Sequence, residues 1–172
     1  LIMTATDQSA VLKALPKAHG RVLYVPRYLL PKEGITLAYA VRDPRGAKDV
    51  AVVRGSGAGF GVDEHIVRIL LTTTRFDPNV RDAGIVRYTD EIAEVVRETL
   101  RDVVEYDPMK FPEGISSMDW GLASCVRNGA PLAIIDRGTR DNPPGIRLLG
   151  TTPEEVANRI LIIAERLTYI DI

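Results

Sequence analysis

One cysteine, Cys125, stands in 172 residues, so the chain carries no internal disulfide framework and no cysteine-based zinc site. Histidine is scarce too: His19 and His65 are far apart, without the spacing of a histidine-rich metal site. No apolar run approaches the roughly 20 residues that span a bilayer, and no basic, hydrophobic, small-residue leader reads as a signal peptide. A cytoplasmic protein without membrane contact is the expectation. Net charge is only −1, which argues against a chain that binds nucleic acid over its whole surface. What is plentiful is arginine, seventeen of the 22 basic residues, a type suited to bidentate phosphate contacts and equally to an ordinary charged surface.

The length fits a single domain, residues 1–172, able to bury roughly two thirds of its unfolded surface. The chain starts Leu-Ile-Met-Thr and enters a helical pattern almost at once, so a domain cut from a longer protein is expected. Helical spacing predicts a helix over Asp7–Lys17, interrupted by Pro16. Arg21–Val25, Ile35–Val41, Val50–Val53, Ile85–Tyr88, Val103–Tyr106, Leu132–Ile135 and Ile146–Leu149 read as strands. Thr89 caps a helix striped with Ile92, Val95, Val96 and Leu100, and Ser116 opens another through about Arg127. Thr152-Pro153-Glu154-Glu155 is a capping box before a last helix. The imperfect alternation of strands and helices predicts a three-layer α/β/α sandwich with a mixed sheet.

The richest stretch runs from Phe60 to Ile92. Asp63 is a plausible cap for a helix that His65 opens, and His65, Arg68, Thr72 and Arg75 recur at intervals that place them on one helical face. Ile66, Val67, Ile69, Leu70 and Leu71 form the opposite, core-facing side. Arg81 and Arg87 follow. An imidazole with a file of guanidiniums near a helix start fits a phosphorylated ligand. It fits equally a solvated face whose arginines pair with carboxylates.

Gly55–Gly61 (GSGAGFG) reads as a glycine-rich loop between strand and helix. It is not a dinucleotide fingerprint, because Phe60 occupies the third glycine position, and it lacks the Lys-Ser or Lys-Thr of a Walker loop. Ser116 and Ser117 supply hydroxyls and free amides at a helix start, suited to an anion or to plain capping. Asp136 closes an apolar strand, where a carboxylate accepts hydrogen bonds from an amino-heterocycle or pairs with Arg137 or Arg147.

Taken together, FG…H-IVRILLT (Phe60–Thr72), RFDPNVRDA (Arg75–Ala83), VRYTDEI (Val86–Ile92), SSMDWG (Ser116–Gly121), IIDRG (Ile134–Gly138) and IRLLGTTPEEV (Ile146–Val156) resemble the ThiN family of thiamine-phosphate synthases. The resemblance implies a class II aldolase-like fold and a pocket for thiamine monophosphate or its precursors. It maps the family's active-site histidine onto His65 and its arginine onto Arg54. The ligand-binding set it points to is His65, Arg68, Arg75, Arg81, Ser116, Ser117, Trp120 and Asp136.

The family also occurs behind a helix-turn-helix domain, as the ligand sensor of an archaeal thiamine repressor. The segment after Arg54 is short, and Thr72-Thr73-Thr74 and Ala83-Gly84 lack the methionine of catalytic members. The expectation is therefore the effector domain of a thiamine-responsive regulator, not an enzyme. It would be a homodimer touching DNA only through a missing amino-terminal domain, with no cofactor and no protein-bound metal. The alternative is a synthase domain that joins hydroxymethylpyrimidine diphosphate to thiazole phosphate with release of pyrophosphate. Its Mg²⁺ would arrive with the diphosphate substrate.

Overall fold

The computed structural model describes residues 2–31, 37–54, 57–62, 64–106, 129–138 and 144–170. Seven strands form one mixed sheet: β1 Leu37–Ala40, β2 Val50–Arg54, β3 Gly57–Phe60, β4 Asp82–Val86, β5 Val103–Tyr106, β6 Ala133–Asp136 and β7 Gly145–Gly150, in the order β3-β2-β1-β4-β7-β6-β5. Only β5 and β6 run parallel; the other neighbours are antiparallel. Helices α1 Ile2–Val22, α3 Asp90–Leu100 and α4 Pro153–Ile170 cover one face, and α2 His65–Phe76 packs on the other.

Both faces of the sheet are therefore buried. In β2, Ala51 and Val53 join the core under α1, α3 and α4, while Val50 and Val52 join the core under α2. This double burial explains why the strands read as near-continuous apolar runs and not as alternating ones. Helix α4 lies so close to the sheet that a Cβ on Gly84 would come 2.7 Å from Val156 Cγ1, and one on Gly150 would come 2.8 Å from Val156 Cγ2. Glycine at these two positions is what allows the helix to seat.

Several expected elements match. In α2, Ile66, Val67, Ile69 and Leu70 are buried as expected from spacing, while Leu71 is only partly buried and Thr73 and Thr74 are buried in addition. Thr89 caps α3 by accepting from the Ile92 amide at 3.0 Å. Thr152 accepts from the Glu155 amide at 3.2 Å, and Glu155 accepts from the Thr151 amide at 3.1 Å.

Others differ. Helix α1 continues past Pro16 to Val22, because Val11, Leu15, Ala18 and Val22 bury one helical stripe. Leu23 and Tyr24, read as strand, sit exposed in the turn that follows. Residues 57–60, read as part of a glycine-rich loop, are strand β3, paired with β2 from Arg54↔Gly57 to Ala51↔Phe60. Strand β4 starts three residues earlier than expected, since pairing with β1 and β7 on either side overrides the poor strand propensity of Asp82 and Gly84. The helix expected over 116–127 lies outside the described residues, as does Asp63.

Asp82 opens β4 fully buried, and neither carboxylate oxygen has a hydrogen-bond partner among the described residues. Burial pushes its carboxyl well above the usual range; Glu155 adds to that push and Arg159 opposes it. The folded state thus keeps a proton that the unfolded chain releases near pH 3.8, and stability must fall as pH rises from there toward the raised value. Asp82→Asn removes this linkage. The expected result is a gain in Tm over the parent that grows as pH rises above about 4 in thermal unfolding; a gain that ignores pH would contradict it.

Candidate functional site

Strand pairing gathers the ends of β2, β4, β5 and β6 and the starts of β1, β3 and β7 at one end of the sheet. There Asp136 faces Gly145 across the β6–β7 ladder, and Arg147 lies opposite Ile134. Alternation sends Asp136 and Arg147 to the α2 side, because Ile135 and Ile146 fill the other core.

Both charges are almost wholly buried, each side chain about 5% exposed. The Arg147 guanidinium donates to Asp136 Oδ2 at 2.9 Å and to the Gly145 carbonyl at 3.2 Å. Its other terminal nitrogen lies 2.6 Å from His65 Nε2. Asp136 Oδ1 accepts from the Gly138 amide at 2.7 Å, a return that the left-handed backbone of Gly138 (φ 81°) permits. A buried carboxylate, a buried guanidinium and a half-buried imidazole thus form one chain from β6 through β7 to the start of α2.

The structure brings together two of the residues expected in the site, His65 and Asp136. The residue that joins them, Arg147, is absent from the expected binding set. Its signal was a lone cation in the apolar strand IRLLG, matched by a lone carboxylate ending the apolar strand AIID. Asp136 takes the ion-pair role that the sequence held open beside recognition of an amino-heterocycle.

Arg68 lies exposed one turn along α2 from His65 and, like Glu64, is engaged by a partner. The backbone of Arg54 ends β2 at the same end of the sheet; its side chain lies outside what is described. Ser116, Ser117 and Trp120 lie outside the described residues.

Arg75 and Arg81 are placed elsewhere. Arg75 sits about 15 Å along the helix axis from His65, given a rise of 1.5 Å per residue. It lines a separate cavity of about 310 Å³ with Asp43, Pro44, Arg45, Thr74 and Pro78. Arg81 precedes β4 at the far end of the sheet. It pairs with Asp7 Oδ1 at 3.1 Å, donates to the Ala40 carbonyl at 3.1 Å and lies 5.0 Å from the centre of the Tyr39 ring. These contacts lock α1 to the sheet. Arg87 does similar work, donating through its side chain to the Leu30 carbonyl at 3.1 Å and through its amide to the Leu29 carbonyl at 2.7 Å. Arg81 follows the turn at Asp77–Val80, where the Val80 amide donates to the Asp77 carbonyl, and so lies off the helical face that carries His65 and Arg68.

The described residues contain no group of three His, Cys, Asp or Glu side chains arranged for a metal. Nor do they include a helix long and apolar enough to cross a membrane.

The sequence model of the family described as thiamine-phosphate synthase ThiN matches residues 17–162. A bifunctional thiamine biosynthesis protein, ThiDN, from Methanocaldococcus jannaschii is 29% identical over 175 residues, covering 93% of this chain. The chain spans 42% of that relative's length. The crystal structure of the C-terminal domain of a phosphomethylpyrimidine kinase is 27% identical with a TM-score of 0.81, covering 91% of this chain and 99% of that domain. An aldolase II superfamily protein from Pseudomonas syringae shares the fold at a TM-score of 0.51 and 14% identity, covering 91% of this chain and 73% of that one.

The family match and the thiamine biosynthesis relative overturn the expectation of a regulator's effector domain that is not an enzyme. Arg54 pairs with Gly57 across β2 and β3. Thr73 and Thr74, where a methionine was missed, are buried with their hydroxyls turned back onto the Ile69 and Leu71 carbonyls.

The assignment of Arg81 to the scaffold has a direct check. Arg81→Ala is expected to lower unfolding free energy by about 1.5–3 kcal/mol, the scale of charge-assisted hydrogen bonds, in denaturant titration. The imidazole resonances of His65 are expected to stay in place. A displaced His65 signal without loss of stability would return Arg81 to the site.

Proposed function

The chain belongs to the ThiN family, and from that premise we propose that it is a thiamine-phosphate synthase domain acting on hydroxymethylpyrimidine diphosphate and thiazole phosphate. The observation that carries this reading is that one continuous family match, over residues 17–162, contains the three residues that form the buried chain at the end of the sheet. The matched relative's role in thiamine biosynthesis supports it.

In the reaction the bond between the pyrimidine's methylene carbon and the diphosphate oxygen breaks, and its electron pair departs with pyrophosphate. The thiazole ring nitrogen supplies the pair for the new carbon–nitrogen bond and becomes a thiazolium. Negative charge grows on the leaving oxygen, so preorganised donors and cations there lower the barrier. His65, at the mouth of the buried chain, offers a ring N–H to that developing charge. Arg54 and Arg68 are assigned to phosphate oxygens, as are Ser116 and Ser117. Trp120 is assigned to a substrate ring. Asp136 acts through Arg147 and holds it in place.

Asp136 commits its two oxygens to Arg147 and to the Gly138 amide, so the described carboxylates do not fit a resident magnesium ion. Any magnesium that accompanies the diphosphate belongs to the substrate, and no step is routed through it.

Both precursors mixed with Mg²⁺ and the protein are expected to yield thiamine monophosphate, detected by chromatography. His65→Ala is expected to lower kcat/KM by about 100-fold or more, the scale of a positioned proton-transfer or donor group. A folded protein that makes no product would overturn the reading.

A further inference from the structure

The geometry points to a defined resting state for His65: a neutral imidazole with its proton on Nδ1, held so by Arg147. A guanidinium carries five donors and no acceptor and stays protonated in proteins. Its terminal nitrogen approaches His65 Nε2 at 2.6 Å. The hydrogen bond therefore runs from Arg147 to the imidazole, Nε2 supplies the lone pair, and the ring proton resides on Nδ1. Protonating Nε2 would set two donors against each other and two positive charges side by side.

A second feature works in the same direction. His65 is the first residue of α2, at the positive end of the helix dipole, where a cation is disfavoured. The first turn of α2 holds no acidic residue, and Glu64 at the cap position makes no capping hydrogen bond.

Among the described residues, charged groups near His65 come from three elements: Arg147 meets the ring from β7, Asp136 stands behind it on β6, and Glu64 and Arg68 lie one residue before and one turn after His65 at α2. Asp136 spends its charge on the guanidinium and a backbone amide, so it anchors Arg147 without reaching the imidazole. From β4, Ile85 pairs with Arg147 in the ladder and adds no charge. Arg147 is thus a positioning residue. Without it no guanidinium donates to Nε2, and the commoner Nε2–H tautomer becomes available.

This inference rests on the synthase reading only for its consequence: His65 serves the departing diphosphate as a neutral Nδ1–H donor, not as a base or an imidazolium. The tautomer itself is a property of the ligand-free protein.

Long-range ¹H–¹⁵N NMR spectra of the uniformly labelled full chain test it, with His19 identified by its absence from a His19→Gln spectrum. At pH 7 His65 is expected to show the Nδ1–H pattern, and its titration midpoint is expected below the usual histidine value of about 6.5. Arg147→Met is expected to restore the Nε2–H form and raise the midpoint. Because that variant strands the Asp136 charge, Arg147→Met with Asp136→Leu gives the same test in an apolar pair.

A protonated or Nε2–H imidazole in the parent at pH 7 would overturn the assignment. So would an unchanged tautomer and midpoint in the double variant. Turnover by a parent lacking the Nδ1–H pattern sinks this inference alone. The pattern without turnover sinks the synthase reading alone.

Discussion

A guanidinium buried to about 5% exposure beneath a helix start is the constraint around which this molecule is arranged. Removing a charge from water costs several kcal/mol unless it is paired and hydrogen-bonded. Arg147 is held by the Asp136 carboxylate, the Gly145 carbonyl and the His65 ring. Each partner fixes a piece of backbone: the end of β6, the start of β7 and the start of α2. The left-handed turn at Gly138 then closes the carboxylate's remaining side. The position of the one imidazole at this end of the sheet follows from satisfying a buried charge.

Such a pair stands out because the rest of the sheet is so apolar. With α1, α3 and α4 on one face and α2 on the other, the strands bury both sides, and polar groups survive only where they have a task. The two ends of the sheet divide that work. Arg81, Asp7 and Tyr39 clamp α1 at one end, and Asp136, Arg147 and His65 build a polar chain at the other. Asp82 is the exception, a carboxyl kept within the core without partners among the described residues.

Periodicity made α2, α3 and α4 legible, because each has a strong apolar stripe, and caps such as Thr89 and Thr152 marked two of the starts. Where local signals conflicted with tertiary pairing, the reading slipped. Pro16 looked like a stop, yet the buried stripe carries α1 through it. Four residues of the glycine-rich segment read as loop, yet β2 recruits them as an edge strand. Asp82 and Gly84 looked unlike strand, yet β1 and β7 flank them.

Within the site, His65 is legible as one of two histidines and the opening residue of a helix's polar face, and Asp136 as a carboxylate closing an apolar strand. Arg81 did not belong with them, because spacing along a helix says nothing about the chain after it turns. The choice between sensor and enzyme rested on a short loop and a missing methionine. The matches to thiamine biosynthesis proteins decide against the sensor.

The account stands or falls on whether Asp136 and Arg147 act as one buried unit. A double-mutant cycle with Asp136→Leu and Arg147→Met, read by denaturant unfolding, measures this directly. Each single change should cost about 3–5 kcal/mol, since it leaves the other charge buried and unpaired, while the double change should cost far less than their sum. Losses that simply add would show two independent side chains and contradict the structure described.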